Sequence, residues 1–252
     1  MNAETQLVAN MSHRLTLDAL CYRNYIPSEL VAIIGKYFHE ELDNKTIRDA
    51  VNMWVREEFR DECLLRFGHI SYWDTSKVTD MSKLFMSRRK FNDDINNWDT
   101  SNVANMLFMF SDASSFNQSL DRWNVANVSN MTYMFYDASS FNRPLEQWNV
   151  SSVIDVTSMF RYAYSFNQPL EKWNVSNVTY MSAMFRSAYR FNQPLENWNI
   201  SSVTDMSGMF YIASSFNQSL ERWNVSNDTN MRSMFNNSGI ININQPTWFG
   251  GD

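Results

Sequence analysis

The sequence predicts an α/β repeat solenoid in which each 25-residue coil has one short parallel strand and one short helix, with an α-helical N-terminal cap. Two observations carry this prediction: a tryptophan recurs every 25 residues, and the apolar spacing within each unit changes from two residues to three or four. Such repeat periods are typical of solenoids, whose units bury their apolar faces only against neighbouring units. The repeated tryptophans are Trp73, Trp98, Trp123, Trp148, Trp173, Trp198, Trp223 and Trp248.

The last complete unit shows both spacings. In residues 195–203 the tryptophan and the residue two positions later alternate with polar residues, which indicates a short strand with one buried face. Over residues 203–213 the apolar residues recur at helical intervals. Thr204 is expected to cap this helix, and Asp205 places a carboxylate in its first turn.

An asparagine column follows the second phenylalanine of each unit. A turn asparagine in every coil can satisfy backbone groups as a stacked ladder, so we expect a structural role for this column. Its members are Asn92, Asn117, Asn142, Asn167, Asn192 and Asn217.

The repeat resembles a known family. The unit Trp-Asn-Val-Ser-Asn-Val-Thr-x-Met-x-x-Met-Phe, followed by Phe-Asn-Gln-Pro-Leu-Glu-x-Trp, is similar to the BspA-like leucine-rich repeats from Ile70 to Trp248. The entry segment 67–81 also matches that pattern. The resemblance implies a leucine-rich-repeat-like fold. Because that family includes bacterial surface proteins and proteins of protists and large DNA viruses, it also implies an adhesive role, or a place on a cell surface or in a virion.

Three regions are expected along the chain. Residues 1–44 form an N-terminal helical segment with a helix over about 27–41, and residues 45–69 form a helical cap with a helix over about 45–67. Residues 70–252 form the solenoid of seven 25-residue units. Its last unit departs from the pattern at Asp228 and Ile241, which indicates an irregular C-terminal cap.

In the N-terminal segment, Ile26-Pro27-Ser28-Glu29-Leu30 is similar to the opening Leu-Pro-x-Glu-Leu of an F-box, the helical module that docks onto a Skp1-like adaptor of ubiquitin ligases. Val51 and Trp54 stand close to the positions of the later F-box residues, although the same two residues also suit the entry helix of the BspA-like repeats. The residues that the F-box resemblance assigns to adaptor docking are Ile26, Pro27, Leu30 and Ile34.

The sequence offers little for catalysis. The histidines are His13, His39 and His69, none lies in a metal-ligand motif, and no phosphate-binding glycine motif occurs. The net charge of -6 argues against nonspecific nucleic-acid binding. No apolar stretch approaches the roughly 20 residues of a membrane span. We therefore expect no cofactor, no metal, no enzyme activity and no nucleic-acid partner. Without a recognisable signal peptide, we expect an intracellular protein.

The columns that vary between copies are the candidates for binding, because the coil does not require their side chains. Tyrosine and arginine, which are enriched at interface hot spots, cluster there in the central units. A protein partner of unknown identity is the prediction, with an F-box-type substrate receptor and a structural component of a larger assembly such as a virion as the alternatives. The candidate partner-binding residues are Tyr133, Tyr136, Arg161, Tyr162, Tyr164, Arg186, Tyr189, Arg190 and Tyr211.

Overall fold

The computed structural model describes residues 39–241 and 243–250. Helix α1 spans Thr46–Trp54 and helix α2 spans Arg60–Phe67, while 3₁₀ turns occupy Glu57–Phe59 and Ile70–Tyr72. After Tyr72 the described residues form neither a helix nor a strand, and successive turns follow one another in this part of the chain. The helix predicted over 27–41 lies almost wholly outside the described residues.

The single helix predicted over 45–67 is broken into α1 and α2. Arg56 adopts an extended backbone between them, so α2 folds back and Cys63 Sγ comes to 3.4 Å from the Ala50 carbonyl oxygen. In a continuous helix those two residues would lie about 20 Å apart along the axis. The break therefore lets both helices bury apolar residues in one layer. These are Ile47, Ala50, Val51, Trp54, Cys63 and Phe67.

Successive 25-residue units stack in parallel. One-residue parallel bridges join equivalent positions of neighbouring coils, which confirms that the sequence period is also the structural period. The bridged residues are Asp80, Asn105, Asn130, Asp155, Tyr180, Asp205 and Asn230.

In each coil, the backbone N–H groups that follow this bridge donate alternately to the next coil and to the same coil. The N–H groups of Met81 and Lys83 donate to carbonyls of the next coil at 3.0 and 2.8 Å, whereas those of Leu84 and Met86 donate three residues back within their own coil. Lys83 has a positive φ of 59°. An α-helix needs consecutive i→i−4 bonds, so the short helix predicted in each unit is not formed. The helical spacing of apolar residues is produced by linked turns.

The strand predicted in each unit is replaced by turns as well. Trp198 and Ile200 are both buried, as the alternation predicts, but the Trp198 N–H donates to the Leu195 carbonyl at 3.0 Å in a tight turn. Asp205 does not open a helix: its Oδ1 accepts the Ser207 N–H at 2.9 Å, which closes a side-chain-to-backbone turn.

Aromatic columns fill the interior. Phenylalanines one coil apart stack with centroids 5.5–5.8 Å apart from Phe85 to Phe235, and a second column from Phe91 to Phe216 lies 3.8–4.1 Å from the first. The indole N–H of Trp173 donates to the Leu145 carbonyl of the preceding coil at 2.9 Å, and every tryptophan from Trp98 to Trp248 repeats this bond. The buried indoles are thereby satisfied without water.

The predicted asparagine ladder is confirmed. Asn142 Oδ1 accepts the backbone N–H of Asn167 in the next coil at 3.0 Å, and each neighbouring pair from Asn92 to Asn217 makes the equivalent bond at 2.8–3.0 Å. The asparagine side chains therefore act as acceptors for backbone N–H groups of the neighbouring coil.

Residues of the helical region bond the backbone N–H and C=O groups of the first coil, residues 73–97. In the other coils, such groups are bonded by the preceding coil. Asn44 Oδ1 accepts the N–H groups of Thr79 and Asp80 at 2.8 and 3.0 Å, and the Arg48 guanidinium donates to the Ser82 carbonyl. Trp54 packs edge-on against Trp73, with ring centroids 6.1 Å apart. These contacts cover the N-terminal end of the stack.

The last unit is irregular in the structure, as its sequence indicates. Asn217 Oδ1 accepts the N–H of Ile241, one position earlier than the period requires. Phe249 then packs edge-on against Phe235, the last ring of its column, at 4.9 Å. The aromatic column is covered there by a residue from outside the repeat.

Candidate partner-binding surface

A connected cluster of aromatic side chains lies on the outer side of the linked turns, in columns where the copies differ. We call it the aromatic surface and define it as Phe108, Tyr133, Tyr136, Arg161, Tyr162, Tyr164 and Tyr189. Phe108 stacks on Tyr133 at 4.6 Å, and Tyr164 stacks on Tyr189 at 5.0 Å. Edge-on and tilted contacts of 5.4–6.2 Å between the intervening tyrosines join these two stacks.

Arg161 lies at the centre of this cluster. Its guanidinium carbon is 4.8 Å from the Tyr162 ring centroid and 5.7 Å from that of Tyr136, within the range of cation–π attraction. Arg161 Nη2 also donates to the Tyr162 hydroxyl at 3.1 Å, and this bond lowers the pKa of Tyr162. The buried Nε of Arg161 has no hydrogen-bond partner among the described residues. The arginine is thus held between two rings while part of its donor capacity is unused.

The rings pack against one another and are only partly exposed. Tyr164 and Tyr189 are the most accessible, at 37% and 43%, and Tyr133, Tyr136 and Tyr162 are half-buried. Side chains that are already ordered lose little conformational entropy when a partner covers them. This arrangement is therefore well suited to binding another macromolecule.

Six of the nine predicted binding residues belong to the aromatic surface, and three do not. Arg186 lies over the Tyr211 ring at 4.3 Å, which makes a separate pair. Arg190 is exposed and makes no ring contact among the described residues. The sequence prediction rests on tyrosine and arginine and does not include Phe108, although Phe108 precedes Tyr133 by one period and so belongs to the same column.

Asp137 borders the aromatic surface, and its pKa is raised, chiefly by burial and then by the nearby carboxylate of Asp112. Because its folded pKa exceeds its unfolded value, its charge opposes folding above that pKa and has no such effect at lower pH, where both states are protonated. We expect Asp137→Asn to raise Tm by about 1–2 °C at pH 7, and this gain to vanish below about pH 3, where Asp137 is protonated in both states. Asparagine suits the positive φ of 52°, as Asn237 shows in the same column.

Thermal unfolding followed by circular dichroism at several pH values checks this prediction. Asp99→Asn is the matched control, because Asp99 is exposed and asparagine occupies its position in the next coil as Asn124. A pH-independent gain, or an equal gain in the control, would show that burial of the Asp137 charge is not the cause.

The comparisons with known proteins give a family without an assigned function. The family described as "Mycoplasma protein of unknown function, DUF285" matches residues 53–168 and 144–248, which together span most of the chain. The chain belongs to this family. Neither a search of curated proteins nor a search of solved structures found a match.

The DUF285 match begins within α1 and ends at Trp248, so it covers the stacked units and part of the helical region. The proposed adaptor-docking residues Ile26, Pro27, Leu30 and Ile34 lie outside both the match and the described residues. Trp54 is fully buried, and its indole N–H donates to Asp93 Oδ2 at 2.9 Å. This tryptophan connects the helices to the first coil of the DUF285 array.

Groups suited to chemistry are sparse in the part of this DUF285 chain that the structure describes. Burial raises the pKa of the Cys63 thiol to about 12 and lowers the pKa of His69, whose Nδ1 accepts the Ser71 N–H. Over residues 39–241 and 243–250, no group of three or more His, Cys, Asp or Glu side chains could hold a metal ion. No helix in those ranges has the length and apolar character needed to cross a membrane.

Proposed function

We propose that this chain is a noncatalytic protein-binding module, a solenoid of stacked coils that binds a protein partner through the aromatic surface. One observation carries the proposal: six aromatic rings and one arginine form a continuous cluster in columns that the coil leaves free to vary.

The composition of the surface supports a protein as the partner. Tyrosine and arginine are over-represented among residues that dominate binding energy, and such residues cluster at the centre of an interface. Stacked rings also keep the unbound surface close to the shape that it would have in a complex. The adhesive role implied by the resemblance to BspA-like repeats would use the same kind of surface.

The repeat pattern supports the proposal independently. Tyr164 and Tyr189 occupy a column that holds serine in three other coils, namely Ser114, Ser139 and Ser214. Because serine suffices for the coil, burial of core residues does not explain the two tyrosines. Binding gives them a role.

Site-specific photocrosslinking tests this function. A benzoylphenylalanine placed at Tyr189, which is 43% exposed, should capture a specific protein in cells that express the full chain. The matched control is the same probe at Tyr180, which is 46% exposed but lies in the bridge column. Capture of one protein from position 189 alone is the expected result. Equal capture from both positions, or none from position 189, would contradict the proposal.

A further inference from the structure

A basic pocket lies where the helical region meets the first coil. Val55 and Arg56, which directly follow α1, line it together with residues 87–91, and its volume is about 290 Å³. Four of its lining residues are cations: Arg56, Arg88, Arg89 and Lys90. They come from two segments more than 30 residues apart, so the pocket exists only in the folded chain.

Most of this positive charge is not neutralised within the described part of the molecule. Arg89 pairs with Asp112, with Nη2 and Oδ2 3.1 Å apart. Among the described residues, no carboxylate lies within ion-pair distance of Arg56, Arg88 or Lys90. The pocket thus concentrates unpaired cations on a chain whose net charge is -6.

The coil does not need these cations. Arg88 occupies a column that is a buried alanine in the following coils, and Lys90 occupies a column that is mostly serine. The alanines are Ala113, Ala138, Ala163, Ala188 and Ala213, and the serines are Ser115, Ser140, Ser165 and Ser215. Both departures from the repeat occur in the coil that contacts the helices. Arg88 and Lys90 are therefore associated with the pocket and are not required for the stacking of coils.

Arg88 is held in a fixed orientation beside the pocket. Its Nη2 donates to Asn52 Oδ1 on α1, and its buried Nε has no acceptor among the described residues. A guanidinium carries five donor N–H groups, so an arginine that is anchored on one side by Asn52 keeps donors for an added acceptor. A guanidinium matches the paired oxygens of a phosphoryl group.

We propose that the basic pocket binds a phosphate monoester. Three unpaired cations match a phosphoryl dianion better than a single carboxylate, and the volume suits a phosphoryl group with a short attached chain. The ester could come from a phosphorylated side chain of a protein or from a small phosphorylated metabolite, since both present the same group. A compact cluster of this size does not form the long basic stripe expected of a nucleic-acid surface. This inference does not rest on the proposed function, which concerns a different set of residues.

Nuclear magnetic resonance titration of the full chain tests the proposal, with the backbone amides of Ser87 and Phe91 as reporters. The probes are inorganic phosphate, glycerol phosphate and a capped phosphoserine peptide, with the unphosphorylated peptide as the blank. We expect saturable chemical-shift changes with all three phosphate-bearing probes and none with the unphosphorylated peptide. The probe that binds most tightly identifies the source of the group: the peptide for a protein, and glycerol phosphate for a metabolite.

The decisive variant is Arg88→Ala with Lys90→Ser, because both changes restore the residues of the other coils and should preserve the fold. We expect it to weaken phosphate binding at least tenfold with an unchanged Tm. Arg143→Gln is the matched control: it removes one cation, and a glutamine there can bond the Asn117 carbonyl as Gln218 bonds that of Asn192. The absence of saturable shifts, or equal affinity in the double variant and the wild type, would overturn the proposal.

Discussion

Phe160→Ala should reduce the free energy of unfolding by about 3–5 kcal/mol, the range for truncating a fully buried phenylalanine. Phe160 is completely buried at the middle of its column, with Phe135 and Phe185 stacked at 5.6 and 5.7 Å. Phe166 lies closer still, at 4.0 Å. Since neighbouring coils meet through these rings, the cavity would weaken two coil interfaces at once.

Urea unfolding followed by circular dichroism measures this loss. Phe59→Ala is the matched control, because Phe59 is 38% exposed and lies outside the stacked columns. We expect the control to cost less than about 1 kcal/mol. Equal losses in the two variants would mean that the stacked phenylalanines do not hold the coils together.

Asn167→Ala should cost about 1–3 kcal/mol, because it removes the acceptor for a backbone N–H that water does not readily reach. Asn167 Oδ1 accepts from the Asn192 N–H at 2.9 Å and from Gln193 Nε2 at 3.0 Å, and both Asn167 and Asn192 are half-buried. The alanine variant would leave both donors without their partner.

Two further variants separate this hydrogen bond from a general effect of substitution. Asn167→Asp keeps the acceptor oxygen and should retain most of the stability. Asn177→Ala removes a bond from an exposed amide to the Ser151 carbonyl, which water can replace, so it should cost less than about 1 kcal/mol. If the aspartate variant unfolds as easily as the alanine variant, the ladder is not the source of the stability.

The sequence contains enough information to predict the register and the core columns. Residues that recur every 25 positions must occupy equivalent environments, and the ladders from Asn92 to Asn217 and from Trp98 to Trp248 follow directly from this. The candidate surface was predictable for the same reason: Tyr164 and Tyr189 stand out because other coils hold serine there.

The backbone within a coil was not predictable from the spacing. Apolar residues three and four positions apart suit an α-helix, but linked turns whose N–H groups alternate between the same coil and the next give the same burial. Lys83 and Ser87 adopt positive φ values of 59° and 60°, and neither residue type signals this conformation. The turn geometry therefore depends on bonds between coils.

The basic pocket depends on tertiary structure in the same way. Arg56 and Arg88 come together only because the helical region breaks after α1 and packs on the first coil. The sequence predicts one continuous helix there, which would have carried the following residues away from the coil. The departure of Arg88 from its alanine column was a signal in the sequence, but only the structure gives it a location.

We propose that the columns that vary, not those that recur, bind the partner. The experiment measures the dissociation constant of the photocrosslinked partner for the wild type and for the Tyr164→Ser, Tyr189→Ser double variant, under conditions in which both are folded. We expect the double variant to bind at least tenfold more weakly, while the control Tyr180→Asn, which restores the asparagine of other bridge positions, stays within about twofold of the wild type. Wild-type affinity in the double variant would show that the variable columns do not bind the partner.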